Sequence, residues 1–303
     1  MANAPMLTDS GIETWLIFHK GIDLPDFASF ALLDDADGRT ALEEYFRAHL
    51  SAAAEVAAGI VLETPTWRAN ADWGARRGYD AAALDRVNRD AVAFLRDLAS
   101  EQHDLDVVVS GNVGPRGDGY SPDELLSPED AEAYHGPQIE SFAGAGADRV
   151  TMLTATHSGE AIGVVRAARK AGLPVVIAFT VETDGALPSG QPLAEAVVEV
   201  DEATGGAALH FGINCAHPDH FTATLDPTDP GTARLSLLRA NASRMSHAEL
   251  DEAEVLDHGD PAELAAQYAE RRRTFPHFEV LGGCCGTDVR HVRAIAAACI
   301  APS

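Results

Sequence analysis

Three cysteines, Cys215, Cys284 and Cys285, have the type and spacing that point most directly to chemistry. Cys215 closes the motif at residues 212–215, and the other two stand side by side between glycines. Thiolate sulfur is a preferred ligand of zinc, and three protein ligands leave one position of a tetrahedral ion open, as in catalytic sites. From spacing alone, a metal site, a disulfide between Cys284 and Cys285, a reactive thiol pair and plain hydrophobic packing stay open. Cys299 lies among alanines, where we predict a core position.

Neighbouring side chains on a regular strand point to opposite faces, so one ion can bind both Cys284 and Cys285 only where the backbone is irregular. Gly282, Gly283 and Gly286 surround the pair and supply that conformational freedom. The glycines therefore favour convergence of the two thiols.

Eight short apolar runs recur along the chain and read as parallel strands buried on both faces. They are residues 5–8, 59–63, 106–110, 148–153, 174–179, 209–214, 234–238 and 278–282. Helical spacing is seen between them at residues 41–58, 82–99, 159–171 and 287–298, and Ser127 is predicted to cap a further helix. Thr287 or Asp288 is predicted to cap the last one.

This alternation predicts an α/β protein, a (β/α)8 TIM barrel that forms a single domain over residues 1–303. An open, doubly wound sheet is the alternative, because alternation does not show whether the sheet closes. In a barrel, the sixth and eighth strands end on the same face, so their cysteines would converge there. The long polar stretches 114–128 and 241–261 would lie on that face too.

The balance of charge excludes several partners. Lys and Arg number 22 against 47 Asp and Glu, a formal net charge of −25. Such a surface repels nucleic acid and anionic membranes, so we predict neither as a partner. We find no signal peptide in residues 1–8 and no apolar run of about 18 residues, and we predict a cytoplasmic protein. A homo-oligomer is compatible with this composition.

The motifs at residues 212–215 and 282–286 resemble those of the homocysteine S-methyltransferase family. That family includes S-methylmethionine- and betaine-dependent enzymes and the homocysteine module of cobalamin-dependent methionine synthase. Residues 7–11, 63–66, 111–115 and 189–193 are similar to further family motifs. The resemblance implies Zn²⁺ on Cys215, Cys284 and Cys285. It also implies methyl transfer from an onium donor (S-methylmethionine, S-adenosylmethionine or betaine-like) to the thiol of homocysteine, giving methionine.

Two positions depart from the family pattern. Leu153 stands where the family carries a glutamate that helps hold the homocysteine ammonium, and Glu13 stands where a small residue is usual. Because a partly buried ammonium needs a carboxylate, we hypothesise that Glu13, with Asp9, takes over that contact. Leu153 also favours an alternative, a methyltransferase for another thiol or a selenol. A non-enzymatic redox sensor that uses a Cys284–Cys285 disulfide is the alternative from another class.

Five further residues near predicted strand ends are expected to contact substrate: Glu63, Trp67, His157, Asn214 and Asn241. Trp67 offers an aromatic face to an onium cation. Asn214 precedes a predicted metal ligand, and its amide is placed to bond substrate or a sulfur. No general acid is expected among these residues, because an onium donor departs as a neutral molecule.

Overall fold

The computed structural model describes residues 5–120, 125–253 and 255–300. Eight parallel strands close into a barrel in chain order. They are β1 (Met6–Thr8), β2 (Ile60–Glu63), β3 (Val107–Val113), β4 (Arg149–Ala155), β5 (Val175–Phe179), β6 (His210–Asn214), β7 (Leu235–Ala240) and β8 (Val280–Gly283). Because β1 pairs with β8, Leu7 opposite Leu281, the sheet has no open edge. The single-domain (β/α)8 barrel is therefore confirmed and the open sheet is wrong.

Eleven α-helices connect and surround the strands in the described part of the chain. They are α1 (Ile12–Thr14), α2 (Ala36–Glu55), α3 (Ala71–Arg76), α4 (Ala81–Ser100), α5 (Pro128–Ala145), α6 (Ser158–Ala171), α7 (Leu193–Thr204), α8 (Pro218–Phe221), α9 (His247–Asp251), α10 (Pro261–Thr274) and α11 (Val289–Cys299). A π-helical turn (Trp15–His19) and short 3-10 turns (Pro25–Phe27, Ser29–Asp34, Thr232–Arg234) complete the set. None of the described helices is long and apolar enough to cross a bilayer.

Helix ends follow the capping residues. Ser127 caps α5 by accepting a hydrogen bond from the Asp130 amide (3.1 Å). Asp288, rather than Thr287, caps α11. The helix predicted at residues 41–58 instead begins at Ala36, because Asp35 accepts a hydrogen bond from the Gly38 amide (2.7 Å).

Strands β3, β4 and β7 run further toward the site than their apolar runs predict. In β3, Gly111 pairs with Val150 and Asn112 with Thr151, so ladder hydrogen bonds outweigh low local β propensity. The bounds 1–303 of the domain stay a prediction at the ends, since residues 1–4 and 301–303 lie outside the described part.

Buried ion pairs cross the barrel interior beside a small apolar cluster of Val61, Leu153, Val176, Ala178, Leu237 and Val280. The Arg239 guanidinium on β7 binds the Asp9 carboxylate just after β1. Arg149 Nη2 on β4 lies 3.7 Å from Glu63 Oε1 on β2. Each pair skips a strand, which places the charges inside the barrel, beneath the ends that carry the cysteines.

Candidate metal centre and active site

The cysteine sulfurs converge at the carboxyl end of the barrel. Cys215 follows β6, and Cys284 and Cys285 follow β8. All three Sγ atoms lie within 4.8 Å of one another, and Cys215 Sγ is 3.7 Å from Cys285 Sγ. A tetrahedral ion with metal–sulfur bonds of about 2.3 Å has sulfur–sulfur edges of about 3.8 Å. The separation of Cys215 Sγ and Cys285 Sγ matches one such edge, and Cys284 Sγ lies in the same cluster. The three sulfurs, as reduced thiolates spaced to such edges, would fit one metal ion and leave its fourth position for another ligand.

The backbone turns that bring the thiols together are irregular. Cys215 adopts a φ of +52°, in the left-handed region that non-glycine residues seldom occupy. Its amide donates to the Arg239 carbonyl (3.1 Å), and the Cys284 amide donates to the Ala240 carbonyl (2.9 Å). Gly286, with a φ of +78°, completes the turn after the cysteine pair. Hydrogen bonds to β7 thus hold both cysteine motifs in register.

The closest sulfur atoms are those of Cys215 and Cys284, which are in direct contact as in a disulfide. Cys285 is a free thiol. The alternative of a disulfide between the neighbours Cys284 and Cys285 is therefore not what the structure shows. Contact between these two strand ends is possible because β6 and β8 both pair with β7.

Tyr120 covers the sulfur cluster and was not predicted from the sequence. Its hydroxyl donates toward Cys215 Sγ (3.5 Å) and lies 3.8 Å from Cys285 Sγ. Its ring stacks on His247, with ring centroids 4.1 Å apart. His247 is also in contact with Glu182 Oε1 (3.0 Å) and the Cys215 carbonyl (2.7 Å). The only available signal was that Tyr120 and His247 belong to the two long polar stretches.

Burial controls the ionisation of the groups beside the thiols. It raises the pKa of Cys285 to about 11, and the negative charge of Glu13 acts in the same direction. Burial also raises the pKa of Glu13, although Ser29 Oγ donates a hydrogen bond to Glu13 Oε1 (2.9 Å). A cation at this position would therefore favour the charged form of both groups.

Asp9 and Glu63, two of the predicted substrate-binding residues, lie in the barrel interior. Asp9 accepts hydrogen bonds from Arg239 and from the Glu63 amide (3.0 Å). Burial alone would lower the pKa of Arg239, but the Asp9 carboxylate raises it above its ordinary value. Arg149 is the charged neighbour of Glu63. The Asp9 carboxylate is thus already engaged by a side chain of the protein.

Asn214 and Asn241, also predicted from the sequence, support the cysteine motif. Asn214 Nδ2 lies 3.8 Å from Cys284 Sγ, and its Oδ1 accepts from the Thr154 amide (2.8 Å). Asn241 Nδ2 donates to the Cys215 carbonyl (3.0 Å). Thr154 has a φ of +57° beside a register shift of β4, so the Asn214 amide holds a strained backbone at the site.

Trp67 follows β2 and His157 follows β4, so both lie beyond the carboxyl ends of barrel strands. Trp67 Nε1 donates to Thr154 Oγ1 (2.8 Å), and its ring packs against the apolar cluster that contains Leu153. One face of this ring is occupied by the Arg68 guanidinium, 3.9 Å from the ring centroid. His157 caps α6 by accepting from the Glu160 amide (3.3 Å).

A model of the homocysteine S-methyltransferase family matches residues 6–299. The chain belongs to the homocysteine S-methyltransferase family. As a family member it is an S-methyltransferase that acts on a thiol. Homocysteine S-methyltransferase YbgG of Bacillus subtilis is 23% identical to it over 251 residues, which cover 77% of each chain. Homocysteine S-methyltransferase of Escherichia coli is 26% identical over 247 residues, 77% of this chain and 78% of that protein.

The solved structure of a homocysteine methyltransferase has the same fold as this family member. The metallated form of MmuM from Escherichia coli aligns with a TM-score of 0.77 and 22% identity, covering 98% of this chain and 96% of that one. Its oxidized form aligns with a TM-score of 0.79 and 23% identity over the same shares.

Proposed function

We propose that this methyltransferase transfers a methyl group from an onium donor to the thiol of homocysteine, giving methionine, with Zn²⁺ as its cofactor. The convergence of three cysteine sulfurs carries the proposal. Relatives named for homocysteine support the acceptor. A rat betaine–homocysteine S-methyltransferase, 27% identical over 259 residues and matched over 60% of its length, supports an onium donor.

Cys215, Cys284 and Cys285 would hold the metal. When bound, zinc lowers the pKa of a coordinated thiol, so that the acceptor reacts as a thiolate. During transfer, the acceptor sulfur forms a bond to the methyl carbon while the donor's C–S or C–N bond breaks. The bonding electron pair leaves with the donor, which becomes neutral, and the thiol proton goes to solvent. This protein therefore needs to supply position rather than a general acid.

The neighbouring side chains would hold the metal site and the acceptor. The Asn214 amide lies beside Cys284 Sγ and would fix its orientation. We assign the ammonium contact to Glu13 rather than to Asp9, because Asp9 is paired with Arg239. Approach of an ammonium would offset the burial of Glu13 and restore its charge. Trp67, His157, Glu63 and Asn241 stay proposals as further contacts.

The test is methionine formation, measured by mass spectrometry, with zinc-loaded protein, homocysteine and a panel of onium donors. We expect about one zinc per chain and methionine from at least one donor. Cys284→Ser should lose both, whereas Cys299→Ser, in α11 outside the cluster, should keep both. Bound zinc without methionine from any donor would contradict the proposed acceptor.

A comparison of two acceptors tests the assignment of the ammonium contact to Glu13. Glu13→Gln should raise KM for homocysteine and leave KM for 4-mercaptobutyrate, which lacks the amine, unchanged. Equal KM values for homocysteine in both proteins would remove Glu13 from the ammonium site.

A second candidate is methyl transfer to a thiol or selenol other than homocysteine. The observation in its favour is Leu153, an aliphatic side chain that belongs to the barrel's apolar cluster and is 6% exposed. An apolar group cannot pair with an ammonium. Competition between homocysteine and acceptors without an amine, in one reaction mixture, would identify the preferred class by product mass.

A further inference from the structure

We propose that Arg68 is the side chain that binds the carboxylate of a substrate, either the acceptor or the donor. The inference rests on the proposed methyl transfer and adds to it a residue that recognises a substrate.

Arg68 is a buried cation that forms no salt bridge with a carboxylate of the described residues. The residue is 4% exposed, and its Nε has no hydrogen-bond partner. Within residues 5–120, 125–253 and 255–300, no carboxylate forms a salt bridge with it, and its Nη1 donates to the Gly117 carbonyl (3.0 Å). The charges of Asp118, Tyr120 and Glu13 act to raise its pKa without such a direct contact. A buried charge is costly unless it is paired and hydrogen-bonded. The described part of the protein therefore leaves this guanidinium without a directly bonded carboxylate.

Two other arginines that are buried in the barrel have a carboxylate beside them. Arg239 is paired with Asp9, and Arg149 has Glu63 as its charged neighbour at 3.7 Å. Burial lowers the pKa of Arg68 to about 10, although the charges of Asp118, Tyr120 and Glu13 act to raise it, and the guanidinium is still protonated at neutral pH. Arg68 thus differs from the other two because no carboxylate of the described residues forms a salt bridge with it. Its charge can therefore pair with a carboxylate of a ligand.

The position of Arg68 is at the wall of the thiol site. It follows β2 at the end of the barrel where the cysteines converge. Its neighbour Trp67 is hydrogen-bonded to Thr154 on β4 (2.8 Å). The loop that accepts its hydrogen bond at Gly117 continues to Tyr120, whose hydroxyl is 3.5 Å from Cys215 Sγ. A carboxylate on a substrate at the sulfurs would therefore find Arg68 on this side.

The stacking around Arg68 favours planar, two-point recognition. The guanidinium carbon lies 3.9 Å from the Trp67 ring centroid and 3.7 Å from that of Trp73. Indoles on both sides hold the guanidinium plane and leave its edge for hydrogen bonding. The edge of a fixed guanidinium matches the two oxygens of a carboxylate.

The experiment compares each substrate with a partner that lacks only the carboxylate. The acceptor pair is homocysteine and 3-aminopropane-1-thiol; the donor pair is dimethylsulfonioacetate and trimethylsulfonium. The zinc-loaded proteins are the wild type, Arg68→Met, Arg68→Lys and Arg76→Met. Arg76 is the matched control because its guanidinium also stacks on Trp73 (4.1 Å), while its side chain is 59% exposed.

We expect the wild type to favour the carboxylate member of one pair by about 10- to 100-fold in kcat/KM, as for the loss of a charge-assisted hydrogen-bonded pair. In Arg68→Met that ratio should fall toward one, and the pair in which it falls identifies the source of the carboxylate. Arg68→Lys should keep part of the ratio, because lysine retains the positive charge but lacks the planar pair of guanidinium donors. Arg76→Met should keep all of it.

Tryptophan fluorescence gives a readout that does not depend on turnover, because Trp67 and Trp73 flank the guanidinium. Titration with homocysteine and with dimethylsulfonioacetate should show tighter binding of at least one than of its carboxylate-free partner. A wild type that binds both members of both pairs equally would overturn the proposal, whatever the fold of the variants. Absence of turnover with this preference intact in the titration would refute the methyl transfer and support the carboxylate site.

Discussion

Replacing Arg239 by methionine is expected to lower the free energy of unfolding by about 3–5 kcal/mol, because it leaves a buried carboxylate without its counter-charge. Arg239 and Asp9 are each 3% exposed. Arg239 also donates to the Gly283 carbonyl (3.1 Å) and the Ser10 carbonyl (3.2 Å), which joins three strand ends beneath the cysteines. The entropy of unfolding is about 2.1 cal/mol/K per residue, hence about 0.6 kcal/mol/K for 303 residues. The expected fall in Tm is therefore about 5–8 °C.

Thermal unfolding should be followed by circular dichroism for Arg239→Met, Asp9→Leu and the double variant. The free energy of unfolding should fall less in the double variant than the sum of its falls in the two single variants, because the double variant buries no unpaired charge. Glu55→Gln is the control: it breaks a surface pair with Arg293, whose side chains are 42% and 50% exposed, and should cost at most about 1 kcal/mol. The reasoning is refuted if Arg239→Met melts no lower than Glu55→Gln, or if the single effects simply add.

Three further outcomes are expected. Tyr120→Ala should speed the reaction of the reduced, metal-free thiols with a colorimetric disulfide reagent severalfold, because the Tyr120 hydroxyl covers two of the sulfurs. Tyr79→Ala is the control, because the Tyr79 hydroxyl donates to Asp34 (2.7 Å) rather than to a sulfur; equal rates for the two variants would contradict this. Burial lowers the pKa of His49 to about 4, below the ~6.5 of the unfolded chain, so stability should be lost as pH falls from about 6.5 to 4. His49→Gln should flatten that loss by up to about 3 kcal/mol in urea unfolding, and an unchanged pH slope would argue against it. Gly282→Ala would press a Cβ against Thr8 and Asp9 at the end of β1 and should destabilise the protein by about 1–3 kcal/mol. Gly136→Ala, with open space beside it in α5, should stabilise the protein by about 0.5–1 kcal/mol. Denaturant midpoints that shift in the same direction in both variants would refute the packing argument.

The strands and the cysteine motifs could be predicted because their signals are local. Buried parallel strands require continuous apolar runs, and each run found in the sequence forms a strand of the barrel. Closure could not be read from alternation, because it depends on the pairing of β1 with β8, elements at opposite ends of the chain. The extensions of β3, β4 and β7 were missed for the same reason, since ladder partners stabilise residues of low strand propensity.

The predictability of the site also depends on whether a feature is local in the chain. The sequence by itself determined which residues carry thiols and that they follow the sixth and eighth strands, because residue type and hydrophobic period are properties of the chain. Only the tertiary structure decided that Tyr120 lies over the sulfurs, stacked on His247, and that Arg68 lies between two indoles. It likewise paired Asp9 with Arg239, 230 positions away. Such contacts depend on how loops and strand ends meet in space, and no local pattern of residues specifies that meeting.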